Sequence, residues 1–302
     1  MKNDINNSGF VCSLCPRSCS AYRNEETGSG YCRSGTLAKV ARAEPHMWEE
    51  PCISGTNGSG TVFFCGCSLG CVYCQNHRIS GDAGFSAPLY DSEGLRKLYD
   101  ELIARGVHNI NLVTPTHYTR VIIDSIGKGL SVPIIWNTGG YEKAETIDML
   151  RGKVQIFLTD MKYSEKECAE KYSNAPDYPN FAKESIQRMF DTVGPYRIDE
   201  NGIMQSGVII RHMMIPGELD NTFGVLDWVS ENFREGDVLF SLMSQYTPQE
   251  FSTPYENLKS RVTMEEYTRA YNYMMTLGIF DGYSQDPDSA DSSYTPDFIE
   301  KR

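Results

Sequence analysis

From about residue 60 onward, short apolar runs rich in Val, Ile, Leu and Phe recur along the chain, at 61–65, 109–114, 133–137, 154–160, 207–215 and 238–243. Each is continuously apolar rather than alternating, the pattern of parallel strands covered on both faces. Amphipathic stretches lie between and after them, at about 91–105, 118–129, 142–151, 179–193, 221–234 and 264–277. In the fourth, Ala182, Ile186, Met189, Phe190 and Val193 recur at the spacing of one helix face. Gly194 is placed to stop that helix, and Asp220 or Asn221 to cap the next. Six strand–helix units in succession predict an α/β fold with a parallel sheet, either doubly wound or curled into a partial barrel.

The first part of the chain lacks this rhythm. Residues 1–58 are rich in Cys, Gly, Ser and Arg and read as a small loop-rich unit, whose core needs a staple. The Gly-Thr-Asn-Gly-Ser-Gly stretch at 55–60 marks its end. The expected organisation is a Cys-rich segment over 1–58, a strand–helix domain over 59–280 and an acidic tail over 281–302 that wraps back or frays. Hydrophobic residues at 40% and charged residues at 23% are a globular balance. No apolar stretch reaches the roughly 18 residues of a membrane span. The opening Met-Lys-Asn-Asp lacks the apolar core of a secretion signal, so the expected location is the cytoplasm. Lys and Arg total 28 against 40 for Asp and Glu, a formal charge of −12 that argues against nucleic acid as a partner.

Cysteine changes the picture most. Of the 10 cysteines, all but Cys168 lie between Cys12 and Cys74. Thiols this dense in a reducing compartment read as metal ligands rather than disulfides. Cys67, Cys71 and Cys74 follow the first expected strand with the spacing C-x3-C-x2-C. Three thiolates serve three irons of a [4Fe-4S] cluster and leave the fourth iron open to a ligand such as an amino-carboxylate. The competing reading is a zinc site that takes Cys65 as its fourth thiolate. Cys12, Cys15, Cys19 and Cys32 form C-x2-C-x3-C-x12-C, a closed four-ligand set suited to structural zinc or an auxiliary [4Fe-4S] cluster. Cys52 and Cys168 read as unpaired.

At Cys67, Cys71, Tyr73 and Cys74 the chain resembles the radical S-adenosylmethionine (SAM) superfamily, which carries C-x3-C-x-aromatic-C after the first strand of a partial (β/α)6 barrel. The resemblance implies a [4Fe-4S] cluster that reductively cleaves SAM to a 5′-deoxyadenosyl radical, with Tyr73 against the adenine. It extends to uncharacterised iron–sulfur proteins related to pyruvate formate-lyase activating enzymes. The stretches that carry it are Glu49-Glu50-Pro51, Cys74-Gln75-Asn76, residues 109–117, Asn137-Thr138-Gly139-Gly140-Tyr141, Asp160-Met161-Lys162, Arg211-His212 and residues 242–248. It implies an oxidoreductase with a flavodoxin or ferredoxin as reductant, and a glycyl radical protein or a small molecule as substrate. A reading from another class is a non-catalytic iron–sulfur or zinc protein for electron transfer or cluster assembly.

Most of these stretches fall at the C-terminal ends of expected strands, the rim where parallel barrels bind ligands. At 114–117 the family commonly carries Gly-Gly-Glu for the SAM amino group; that tripeptide is missing, and Thr114 and Thr116 offer oxygen acceptors instead. By the resemblance Asn137, Asp160 and Lys162 surround the SAM carboxylate, although Asn137 replaces a family acid and removes one charge. Arg211 lies in an apolar run, where a guanidinium needs a carboxylate partner such as a bound ligand. Strand alternation turns His212 to the opposite face, against a helix. His117 reads as a rim proton donor or a structural histidine, and Tyr246 as a substrate contact or rim packing.

Overall fold

The computed structural model describes residues 10–81, 85–248 and 254–285. The strands are β1 (Phe10–Cys12), β2 (Ala21–Arg23), β3 (Ala38–His46), β4 (Ser59–Phe64), β5 (Leu89–Tyr90), β6 (Ile110–Val113), β7 (Ile134–Thr138), β8 (Ile156–Asp160), β9 (Arg197–Ile198), β10 (Met204–Met213), β11 (Leu239–Met243) and β12 (Gly282–Gln285). The helices are α1 (Pro51–Ser54), α2 (His77–Ser80), α3 (Ser92–Ala104), α4 (Thr119–Ile126), α5 (Ala144–Asp148), α6 (Lys166–Ser173), α7 (Tyr178–Val193), α8 (Leu219–Asn232) and α9 (Met264–Thr276).

The six expected strands are β4, β6, β7, β8, β10 and β11. They lie side by side in chain order, each parallel to the next, and β12 continues the series on β11. At the other end β3 runs antiparallel to β4, and β5 antiparallel to β3. The strand order never reverses, whereas a doubly wound sheet reverses and takes helices on both faces. Here Leu95, Ile122, Ile147, Tyr172, Ile186, Leu226 and Ala270 bring α3 to α9 into one core, with Val62, Leu112, Trp136, Phe157, Ile210 and Phe240 of the strands. The opposite face carries a smaller apolar cluster of Ile135, Ile156, Leu158, Ile209 and Leu239, covered by Cys52 and Ile53 of α1.

Local signals explain most boundaries. Asp91 caps α3 by accepting from the Gly94 amide at 2.8 Å, and Thr263 with Glu266 forms a capping box on α9. Gly194 ends α7 with φ 70°. The start of α8 departs from expectation: the helix begins at Leu219 with Glu218 at the cap position, two to three residues too early for Asp220 or Asn221 to be its cap. Asn221 instead ties the start of α8 to the loop after β8, accepting from the Ser164 amide and donating to the Lys162 carbonyl, both at 2.9 Å. The ends of the chain also differ. Residues 38–46, expected within the loop-rich segment, form a long strand of the main sheet because Ala38 and Val40 pack into the core. The expected tail contributes β12 as an edge strand, and its remainder from 286 lies outside the described residues. Among the described residues no helix is long and apolar enough to cross a membrane.

Candidate active site

Side-chain alternation and strand register build the site. Along β10, Val208, Ile210 and His212 face the helices, while Ile209 and Arg211 face the other way. The parallel register sets Arg211 beside Asp160 on one side and Ser241 on the other, above the apolar layer of Leu158, Ile209 and Leu239. A cavity of about 270 Å³ opens there, at the C-terminal ends of the strands, slightly below the usual volume range of small-molecule sites. Its lining includes Cys67, Cys71, Cys74, Tyr73, Thr114, Thr116, Asn137, Asp160, Lys162 and Arg211, the residues expected around one cluster and its cofactor. The four N-terminal cysteines line a separate small hollow.

Charge organises the cavity floor. Arg211 donates from Nε to Asp160 Oδ1 at 3.0 Å, from Nη1 to Glu49 Oε2 at 3.2 Å and from Nη2 to Asn137 Oδ1 at 2.7 Å. Its carboxylate partners therefore come from the chain itself. Lys162 Nζ reaches Asp160 Oδ2 at 2.6 Å, with both side chains no more than 17% exposed, so this is no solvated surface pair. Burial pushes the Asp160 carboxyl up, but Lys162 and Arg211 outweigh it and hold the group below its usual range. Burial raises Glu49 and Glu50 against the pull of the same guanidinium. Neither glutamate is assigned a role by sequence pattern. Both follow β3, and only the placement of that strand beside β4 brings them over the sheet. The available signal was an acidic pair directly before Pro51, which opens α1.

Each of Cys67, Cys71 and Cys74 has a hydrogen-bond partner at its sulfur. The Leu69 amide donates to Cys67 Sγ at 3.3 Å, Ser173 Oγ donates to Cys71 Sγ at 3.0 Å, and Cys74 Sγ lies 3.4 Å from Ser80 Oγ. Burial pushes the Cys67 thiol up to about 12 and raises Cys74 as well, so metal binding there must displace protons. Among the described residues no three His, Cys, Asp or Glu side chains are gathered closely enough for one metal ion. Cys65 is not with Cys67, Cys71 and Cys74. It packs in an apolar cluster with Phe63, Ile79 and Val113, and does not line the cavity.

Other expectations sort themselves by contact. Tyr73 lines the cavity but is 3% exposed, its hydroxyl donating to Tyr163 OH at 2.9 Å. Thr114, directly after β6, sits at φ 58°, strained for a β-branched residue, and Thr116 donates to Glu142 Oε1 at 2.6 Å. His117 is no rim proton donor: it is buried, Nε2 bonds the Cys65 carbonyl at 2.8 Å, and it faces the N-terminal thiols. Tyr246 is rim packing, donating to the Leu258 carbonyl at 2.7 Å. His212 lies against α8, with Nε2 3.0 Å from Thr222 Oγ1. Cys168 contacts Glu218 Oε2, and Cys52 is buried under the sheet.

No protein-family profile matches the chain. An uncharacterized protein of Methanocaldococcus jannaschii is 28% identical over 269 residues, covering 86% of this chain and 72% of that protein. Among solved structures, Streptococcus suis SuiB bound to S-adenosylmethionine superposes with TM-score 0.47 at 14% identity, over 73% of this chain and 48% of SuiB. This chain thus matches about half the length of SuiB. Escherichia coli QueE superposes with TM-score 0.45 at 8% identity, over 83% of this chain and 94% of QueE.

Proposed function

We propose that this chain is a radical SAM enzyme on a partial (β/α)6 barrel formed by β4, β6, β7, β8, β10 and β11. Cys67, Cys71 and Cys74 would hold a [4Fe-4S] cluster through three of its irons. When bound and reduced, the cluster supplies the electron that splits SAM into methionine and a 5′-deoxyadenosyl radical, which takes hydrogen from a substrate. The observation that carries this reading is the position of Cys65. With its thiol packed away from the cavity, the loop presents three thiolates rather than four, which leaves one iron able to bind a ligand.

The chain's own residues would do the rest. Asp160, Glu49 and Glu50 set three carboxyls against the cations of Lys162 and Arg211, an environment suited to a sulfonium that also carries an ammonium and a carboxylate. Arg211 retains N–H donors for the carboxylate, and Asp160 and Glu49 hold it in place. Thr114 offers its carbonyl and hydroxyl to the ammonium. Tyr73, fixed by Tyr163, gives the adenine a rigid aromatic wall. The resemblance to activating enzymes supports an oxidoreductase that draws electrons from a flavodoxin or ferredoxin, with a glycyl radical protein as one candidate substrate.

Anaerobic reconstitution followed by dithionite and SAM tests the reading. Equal amounts of 5′-deoxyadenosine and methionine, measured by mass spectrometry, are expected from the wild type. None is expected from Cys71→Ala, whose fold, read by circular dichroism, stays intact because the loop lies on the rim. A cluster whose spectrum ignores SAM, or normal 5′-deoxyadenosine from the variant, refutes the reading.

A further inference from the structure

Cys12, Cys15, Cys19 and Cys32 line one hollow of about 10 Å³ together with Arg23 and His117. Arg23 and His117 are each 2% exposed, and Arg23 Nη2 and His117 Nδ1 are buried without a hydrogen-bond partner. Arg23 Nη1 already points at Cys12 Sγ, 3.7 Å away. A buried guanidinium with an unpaired N–H beside four thiols is costly if the thiols are neutral. It is satisfied if they are thiolates, which carry charge and accept N–H···S bonds. The surrounding unit has little else to hold it, since β1 and β2 are three residues each.

The loop between Cys15 and Cys19 carries Arg17 across to the catalytic loop. Its guanidinium donates to the carbonyls of Ser68 at 2.8 Å, Leu69 at 3.0 Å and Ser173 at 2.9 Å, and to that of Asn174. Leu69 and Ser173 are the residues whose amide and hydroxyl reach the sulfurs of Cys67 and Cys71. Tyr31, next to Cys32, stacks on the guanidinium at 4.0 Å and donates to the Leu69 carbonyl. The two units also meet where side chains have no room. A Cβ on Gly66 would stand 2.5 Å from Ser34 Oγ and 2.9 Å from the Cys32 carbonyl, and one on Gly70 would stand 2.7 Å from Tyr31 OH.

We propose that Cys12, Cys15, Cys19 and Cys32 hold a second metal centre through their thiolates, and that Arg17, on the loop they fix, is a positioning residue for the 67–74 loop. The occupant is a thiolate-bound centre, either one zinc ion or an iron–sulfur cube. The hollow holds about one water, and the thiols are not drawn in to single-ion distance, so a zinc ion would have to gather them. The Arg17 half of the proposal rests on the functional reading above; the thiolate half does not.

The test separates the two halves. Full-length protein with Cys67, Cys71 and Cys74 all changed to Ala is purified anaerobically and loaded, in separate arms, with zinc alone or with ferrous iron and sulfide. About one zinc or about four irons per chain should remain after desalting, and adding Cys12→Ser and Cys32→Ser should abolish it. A metal-free triple variant, or metal that survives the added changes, overturns the second site; the triple variant decides even if the fivefold variant is insoluble. In the otherwise wild-type protein, Arg17→Met should retain the N-terminal metal. It should lose the SAM-sensitive electron paramagnetic resonance signal to a chelator about tenfold faster, the scale of one charge-assisted hydrogen bond, with Arg17→Lys in between. Unchanged loss overturns the coupling. Wild type that forms no iron centre at 67–74 overturns both the functional reading and the coupling, and the count in the triple variant still stands.

Discussion

Asp160 shows how a single strand-end residue can serve stability and site chemistry together. It receives the Arg211 Nε–H and the Lys162 ammonium on opposite oxygens, with 16% of its side chain exposed. Asp160→Asn leaves Lys162 without its carboxylate partner and Arg211 with only Glu49 and Glu50. Unfolding in urea should show a loss of about 3 kcal/mol at constant m-value, together with weakened SAM binding by calorimetry; an unchanged midpoint would sink the assignment. Asn137, Asp160 and Lys162 were singled out by the family resemblance at the ends of expected strands, and Arg211 by its place as a guanidinium within an apolar run. Glu49 was not, since its loop reaches the cavity only through a strand pairing that no local pattern announces.

At the scale of elements, the strongly periodic helices and continuous apolar strands were readable, and short or weakly apolar pieces were not. The helix α6 escaped because Lys-Glu-Cys-Ala-Glu-Lys-Tyr-Ser offers a narrow apolar face, Ala169 and Tyr172, within a charged run. The edge strand β12 escaped because Gly-Tyr-Ser-Gln carries no hydrophobic alternation and takes its order from β11. The capping box at the start of α9 ties this periphery together: Thr263 and Glu266 satisfy each other, and Glu266 also accepts from the Gly217 amide at 2.7 Å. Thr263→Ala should therefore cost about 1 kcal/mol in the thermal or denaturant midpoint, and loss of SAM binding in that variant would contradict a purely peripheral role.

For the molecule as a whole, mild acid should be destabilising through a buried histidine. His212 is fully buried; Nδ1 meets the Met161 carbonyl at 2.7 Å and so donates, leaving Nε2 to accept from Thr222. Burial lowers it from 6.5 to about 4. The unfolded chain then binds the proton first, so the contribution is complete above about 6.5 and is lost as pH falls toward 4, by up to about 1.4 kcal/mol per pH unit. Urea unfolding between pH 7 and 4.5 should show this slope and a shallower one for His212→Asn; parallel curves would refute it. The six-unit succession of the sheet was legible at this scale, while the docking of the N-terminal unit was not, because its partners are carbonyl groups, which sequence does not distinguish. That docking has a temporal consequence. Arg17 leaves the ribosome 157 residues ahead of Asn174, so during synthesis the amino-terminal thiols wait, unsheltered, for most of the sheet to be made before the clasp across the mouth can close.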